Sequence, residues 1–229
     1  MSASGMQRVI APLFTFSAKS FIIWIKNKKQ QGGRTMDLYC LGDSLTFGYG
    51  VKPQQRWIAL ASGEGRTLHN HGVCGDTTGG MLVRLHTGLL PILRREGGWV
   101  LLCGGDNDIF YSGCASAARS NMGAMVHQLL GLGVRPILAS PIPVCAEDAP
   151  KSWGGVVDFR AAAAEVARYR DWCRDFAAAF GLPFVDFYAD FVAEDGAVRR
   201  ELYLDGMHPT AEGHALMAAR LRAVLEELA

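Results

Sequence analysis

Short apolar runs alternate along the chain with longer segments in which apolar residues recur at helical spacing. The short runs are bounded by glycine, proline or polar residues, as is typical of parallel strands buried on both faces. They predict strands at residues 37–41, 67–70, 99–103, 135–140 and 183–187. The longer segments predict helices at residues 57–61, 80–95, 115–132, 158–180 and 209–229.

Two prolines refine this pattern. Pro91 lies inside the second predicted helix and is expected to kink or end it, because proline has no N–H to donate. Pro209 suits the first turn of the last helix. Strands separated by helices predict an α/β fold whose parallel sheet is covered on both faces, with ligands bound at the carboxyl ends of the strands. Residues 142–157 form the longest irregular stretch, which is typical of a lid or binding loop.

Composition excludes some classes of function. The formal net charge is +1, and 49% of the residues are hydrophobic, which indicates an ordinary globular protein without the basic excess of a nucleic-acid-binding domain. Six scattered cysteines lack the spacing of a zinc site and favour reduced thiols in a cytoplasmic protein. His69, His71 and His214 offer imidazoles, but no metal-binding motif accompanies them, so no metal is expected.

The first 35 residues are interpreted as an N-terminal extension or linker, and residues 36–229 as the domain. Residues 9–25 are largely apolar, but Lys19 interrupts a run that is already shorter than a membrane-spanning helix. A membrane anchor or an export signal remains an alternative, so membrane association and localisation stay open here. The oligomeric state also stays open.

Four short polar motifs lie next to the predicted elements, each with an ordinary structural explanation when taken alone. A serine or aspartate can cap a helix, a glycine can form a turn, and Asn or Asp can form an Asx turn. A chemical role is equally available, because an asparagine amide can donate to an oxyanion and a carboxylate can orient a nearby imidazole. The motifs are Gly42-Asp43-Ser44-Leu45, the segment 70–77 around Gly75, Gly105-Asp106-Asn107-Asp108, and Asp205-Gly206-Met207-His208.

In this order and spacing, the four motifs resemble the blocks of the SGNH, or GDSL-type, hydrolase family, which includes esterases, thioesterases and lysophospholipases. The resemblance runs from Met36 to the C-terminus. It implies a flavodoxin-like three-layer α/β/α sandwich with a five-stranded parallel sheet in the order 2-1-3-4-5. One departure is Cys74, where many relatives carry serine; we expect it to be tolerated because the role there belongs to the backbone of Gly75.

The resemblance also implies a role for each matching residue. Ser44 would be the nucleophile, His208 the general base, and Asp205 the carboxylate that orients His208. The backbone N–H groups of Ser44 and Gly75, together with the side chain of Asn107, would form the oxyanion hole. No cofactor is implied.

The expected substrate is a small molecule, a carboxylic ester or thioester of a small to medium acyl group. Carbohydrate O-acetyl esters and lysophospholipids are alternatives, transfer of the acyl group to another acceptor is a further one, and a non-catalytic binding module on the same fold is the alternative from another class. Five aromatic residues near the motifs or in the long loop are candidates for an acyl pocket, although core packing explains each equally well. They are Phe47, Tyr49, Phe110, Tyr111 and Trp153.

Overall fold

Parallel strands form a single sheet in the computed structural model, which describes residues 35–63, 65–153 and 155–228. Its five strands lie in the order β2-β1-β3-β4-β5, and all neighbours are parallel. The predicted fold class and strand order are therefore confirmed. The strands are β1 (Met36–Gly42), β2 (Arg66–Gly72), β3 (Trp99–Cys103), β4 (Ile137–Ala139) and β5 (Phe184–Val185).

Helices cover both faces of this sheet. They are α1 (Ser44–Phe47), α2 (Trp57–Ala61), α3 (Thr78–Arg84), α4 (Leu90–Glu96), α5 (Asp106–Ser112), α6 (Ser116–Gly131), α7 (Phe159–Phe180) and α8 (Ala211–Leu228). Short 3₁₀ turns occur at Pro53–Gln55, Lys151–Trp153, Tyr188–Phe191 and Arg200–Leu202. Among the described residues, none of the helices has the length and apolar character needed to cross a membrane.

Side chains of the central strands alternate between two hydrophobic cores. Leu38 and Cys40 of β1 pack with α2 and α8, whereas Leu41 packs on the opposite face with α3, α6 and α7. Successive residues of a strand point to opposite faces of the sheet, so uninterrupted apolar runs supply both cores at once. The central strands are consequently held rigidly, and their carboxyl ends give a fixed edge for the loops that carry the motifs.

Two predictions that involve proline need correction. The segment 80–95 is not one helix broken at Pro91: a wider π-helical turn, Leu85–Leu89, separates α3 from α4, and Pro91 lies in the first turn of α4. The π-helical turn directly before it accommodates a residue that has no N–H to donate. Pro209 precedes the last helix instead of starting it, because it pairs with Tyr203 in a short antiparallel bridge. Helix α5 was not predicted.

The predicted division at residue 36 stays a prediction. Residues 1–34 lie outside the described part of the chain, and so does the apolar segment 9–25.

Candidate active site

Ser44 lies at the carboxyl end of the central strand β1, as the first residue of α1. Gly42, the last residue of β1, lets the strand pack closely against its neighbours, since a Cβ at this position would lie 2.1 Å from Thr46 Oγ1 and 2.4 Å from the Cys103 carbonyl oxygen. The Asp43 side chain accepts a hydrogen bond from the Leu45 N–H at 2.9 Å and caps the helix. The Ser44 N–H has no acceptor within the helix, because the first N–H groups of a helix never do.

His208 joins Ser44 from the far end of the chain. Its Nε2 lies 3.0 Å from Ser44 Oγ, and its Nδ1 lies 2.8 Å from Asp205 Oδ2. The other carboxylate oxygen, Asp205 Oδ1, accepts backbone N–H bonds from Met207 at 3.1 Å and from His208 at 2.9 Å. Asp205 and His208 therefore form one hydrogen-bonded loop, which reaches the nucleophile through the contact with Ser44.

The environment of Asp205 favours its charged form. Partial burial raises the pKa of this carboxyl, but the hydrogen bonds from the His208 ring and from the backbone N–H groups outweigh burial and lower the pKa overall. An ionised Asp205 accepts a hydrogen bond from His208 Nδ1–H, which keeps the proton on Nδ1 and leaves Nε2 free to accept from Ser44. The Tyr49 ring packs against the imidazole with 4.5 Å between centroids.

Gly75 and Asn107 lie beside Ser44 in the same cavity. Gly75 has a φ of 75°, a left-handed conformation that favours glycine. Asn107 is buried in the first turn of α5 and donates one amide hydrogen to the Asp76 carbonyl oxygen at 2.9 Å, so its second hydrogen is available for a ligand. The five residues predicted from the sequence to form the site thus lie together around one cavity.

The cavity has a volume of about 410 Å³. It is lined by Ser44, Gly75, Asn107, Asp205 and His208, and its walls come mainly from α5 and the long loop. Tyr49, Phe110, Tyr111 and Trp153 are among the lining residues, as are Ile142, Val144 and Pro150 of the long loop. The loop 142–157 accordingly forms one wall of the binding cavity.

Phe47 differs from the other aromatic candidates. It does not line the cavity, and the guanidinium of Arg56 lies 4.4 Å from its ring centroid. His69 instead bonds Asp37 at 2.8 Å, and buried His214 accepts from the Trp57 N–H at 3.4 Å, with burial lowering its pKa to about 4. Within residues 35–63, 65–153 and 155–228, no three His, Cys, Asp or Glu side chains are grouped to hold a metal ion.

Several acidic residues at the site were not assigned from the sequence. Asp108 accepts from the Thr78 N–H at 2.8 Å and its hydroxyl at 2.7 Å, which fixes the start of α3 close to Gly75. Asp43 and Asp106 are both buried, and burial raises the pKa of each. The sequence shows that Asp43, Asp106 and Asp108 lie within the motifs, and this position could have marked them as site residues. Only the structure shows that Asp43 and Asp106 are buried and close enough to repel each other.

The fold and the site geometry together define an α/β enzyme whose Ser, His and Asp side chains meet at the carboxyl edge of a parallel sheet. The family model described as the GDSL-like lipase/acylhydrolase family matches residues 40–216. The chain therefore belongs to the GDSL-like lipase/acylhydrolase family, whose members are hydrolases of the esterase and lipase type.

Solved structures share this fold. A carbohydrate acetylesterase from Sinorhizobium meliloti is 20% identical, with a TM-score of 0.69 and coverage of 85% of this chain and 100% of that one. An aryl esterase from M. smegmatis is 18% identical, with a TM-score of 0.70 and the same coverage. A G-D-S-L family lipolytic protein from Veillonella parvula is 21% identical, with a TM-score of 0.69, covering 84% and 99%. No curated protein matches the chain.

Proposed function

We propose that this enzyme is a serine hydrolase that cleaves carboxylic esters and thioesters of small to medium acyl groups through an acyl-enzyme on Ser44. The observation that carries the proposal is the continuous chain of contacts from Ser44 Oγ through the His208 ring to Asp205, at 3.0 and 2.8 Å. A serine hydroxyl is a weak nucleophile near neutral pH, and an adjacent, oriented base is what activates it.

Each chemical step then has a group to perform it. His208 Nε2 takes the Ser44 proton as Oγ bonds to the carbonyl carbon, and the carbonyl electron pair moves onto oxygen. The Ser44 and Gly75 N–H groups and the Asn107 amide donate to that oxyanion. His208 next protonates the leaving alcohol or thiol as its bond to carbon breaks. Water repeats the sequence and releases the acid.

The cavity supports an acyl group of modest size. Its volume of about 410 Å³ lies in the lower half of the usual range for small-molecule sites. Phe110, Ile142 and Val144 line it, and all three are buried, so apolar surface is available for an acyl chain. Burying such a chain contributes about 0.8 kcal/mol for each CH₂ group.

A carbohydrate O-acetyl ester is a second candidate substrate. Tyr49, Tyr111 and Trp153 line the cavity yet remain 48%, 61% and 38% exposed. Exposed aromatic rings at a cavity offer flat apolar faces for the C–H groups of a sugar ring. One structure of the same fold is that of a carbohydrate acetylesterase, which favours including this class in the test.

The decisive experiment labels the nucleophile. A fluorophosphonate probe should add its mass to the peptide that contains Ser44, and Ser44→Ala should remove both the label and the hydrolysis of p-nitrophenyl esters. Ser62→Ala is a matched control, because this serine bonds the Ile58 carbonyl oxygen and does not line the cavity. Labelling elsewhere, or activity that survives in Ser44→Ala, would contradict the proposal.

The substrate is then ranked with a panel of p-nitrophenyl esters of increasing length, acyl-coenzyme A thioesters, acetylated sugars and lysophospholipids. A kcat/KM that peaks at short or medium acyl length supports the proposal. A preference for acetylated sugars over every simple acetate would favour the second candidate.

A further inference from the structure

Arg84, the last residue of α3, makes an unusual set of hydrogen bonds beneath the site. Its Nε and Nη2 donate to Asp76 Oδ2 at 2.8 and 2.6 Å. Its Nη1 donates to the His71 carbonyl oxygen at 2.6 Å, and Nη2 also donates to the Gly42 carbonyl oxygen at 2.7 Å. One guanidinium thus ties the ends of β1 and β2 to the loop that follows β2.

Two of the three acceptor residues, Gly42 and Asp76, stand next to the candidate oxyanion donors. Gly42 is two residues before Ser44, and Asp76 directly follows Gly75. The third donor is reached through the Asp76 backbone, whose carbonyl oxygen accepts the Asn107 amide at 2.9 Å. Arg84 therefore holds residues that are close to all three donors. Ser44 and Gly75 are within two residues of one of its acceptors, and the Asn107 side chain is hydrogen-bonded to the Asp76 backbone.

Two glycines near Arg84 allow the backbone and the Asp76 carboxylate to pack closely around it. A Cβ on Gly80 would lie 1.8 Å from Asp76 Oδ1, so the absence of a side chain there admits the Asp76 carboxylate to the first turn of α3. A Cβ on Gly72 would lie 2.1 Å from the Phe47 N, which shows how closely the end of β2 approaches α1. Side-chain exposures of 28% for Arg84 and 14% for Asp76 keep solvent largely away from the pair.

We propose that Arg84 is a positioning residue that sets the relative geometry of the three oxyanion donors. The proposal rests on the function proposed above. Arginine suits the task because its planar fork can bond a carboxylate and two carbonyl oxygens at once, which the single ammonium of lysine cannot do in the same plane. The donors act only if they converge on one point about 3 Å away, so a small relative shift weakens all of them together.

A merely structural ion pair makes a different prediction. A structural pair would contribute to the free energy of unfolding, and its loss would leave the catalytic constants of the remaining folded enzyme unchanged. A positioning residue acts in the transition state, so its loss lowers kcat while KM changes little. The two roles are thus separated by kinetics measured per folded molecule.

The test uses Arg84→Gln and Arg84→Lys in the full chain, with the p-nitrophenyl ester that the wild type hydrolyses best. We expect kcat to fall about 100-fold in Arg84→Gln, the scale of an ångström-sized misplacement, with KM within about threefold. Arg84→Lys should resemble Arg84→Gln, since charge alone does not restore the fork. Arg220→Gln is the matched control: Arg220 donates from Nε and Nη2 to the Asp190 carboxylate, away from the cavity, so its loss should lower Tm and spare kcat.

A double mutant gives a kinetic result that a loss of stability alone would not produce. If Arg84 acts through the donors, Arg84→Gln combined with Asn107→Ala should be far less damaging than the product of the two single effects. Asp76→Asn provides a second route if Arg84→Gln folds poorly, because it keeps the backbone carbonyl and removes only the carboxylate; we expect it to lower kcat at least tenfold.

The outcomes separate this inference from the proposed function. A kcat in Arg84→Gln within about threefold of wild type, or full multiplicative effects in the double mutant, would overturn the role of Arg84 alone. A wild-type enzyme without Ser44-dependent ester hydrolysis would overturn both. Retention of kcat in Asp76→Asn would likewise count against positioning through that carboxylate.

Discussion

The Asp205→Asn substitution tests the acid–base pair through the orientation of one amide. In the wild type, Oδ1 of Asp205 accepts two backbone N–H bonds, and Oδ2 faces His208 Nδ1. An asparagine must keep its oxygen on the two N–H donors, so its NH₂ group faces the imidazole. The ring then accepts at Nδ1 and carries its proton on Nε2, which is the atom that must accept from Ser44.

The expected cost follows from these contacts. The wrong tautomer should lower kcat by about 10⁴, the usual scale for this substitution in a Ser-His-Asp triad. Stability should change little, because the bonds from Met207 and His208 are kept. Asp205→Ala loses both of those bonds, at about 1 kcal/mol each, and Tm should fall by about 4–8 °C for a chain of this size.

The assay compares p-nitrophenyl ester hydrolysis with thermal unfolding followed by circular dichroism. The two variants should be similarly inactive and differ clearly in Tm. An Asp205→Asn enzyme that keeps more than about a tenth of the wild-type kcat would refute the orienting role of this carboxylate. An equal loss of Tm in both variants would refute the inference that the backbone bonds fix the amide.

Three further predictions follow from the same contacts. Asn107→Ala should lower kcat by about 10²–10³ with little change in KM, as measured by steady-state kinetics; a change confined to KM would exclude it as an oxyanion donor. Burial raises the pKa of Asp43 from 3.8 to about 7, so folding favours its neutral form. The free energy of unfolding of the wild type should therefore decline as pH rises from the unfolded value of this pKa to the folded one. Asp43→Asn should flatten that decline in Tm between pH 4 and 8, and an unaltered slope would contradict it. Deletion of residues 1–35 should leave a folded, active enzyme, because every site contact described above comes from later residues; loss of the circular dichroism signal would place the boundary elsewhere.

The architecture was accessible from the sequence because the central strands β1 and β3 are largely apolar and buried. Residues 99–103 form β3 with the predicted bounds, and the strand order matches the one implied by the resemblance. Strands β4 and β5 are shorter than predicted: residues 135, 136 and 140 lie outside β4, and residues 183, 186 and 187 lie outside β5. Composition reports burial, and it does not distinguish a paired residue from a neighbour that merely packs.

Helix boundaries near proline depended on contacts that the sequence does not display. The last helix begins after Pro209 because that residue is held by the bridge to Tyr203. The π-helical turn before Pro91 is a response to the missing N–H, and the same sequence could equally have kinked at the proline. Local propensity permits both solutions, and packing selects one.

The candidate site divides in a similar way. Ser44, Gly75, Asn107, Asp205 and His208 were accessible because each belongs to a recognisable motif. Arg84 was not, because an arginine between Leu82 and Leu85 on a predicted helix resembles an ordinary solvated residue. Arg84 contacts Asp76, which is 8 residues away in the sequence, and Gly42, which is 42 residues away. No local sequence pattern predicts the contact with Gly42.

The loop shared by Asp205 and His208 has a consequence for how the site tolerates change. Every bond within this pair is local, and a backbone bond from the Cys145 N–H to the Gly206 carbonyl oxygen at 2.8 Å ties the loop to the long loop 142–157. The acid and the base are consequently displaced together, and the catalytic distance that such a displacement alters is the one from His208 Nε2 to Ser44 Oγ. Ser44 and His208 are 164 positions apart, and insertions between Ser44 and Asp205 leave the acid–base pair itself intact. Evolution and protein engineering can therefore reshape the substrate-binding loops, provided that the bond from Cys145 to Gly206 and the distance from His208 to Ser44 are kept.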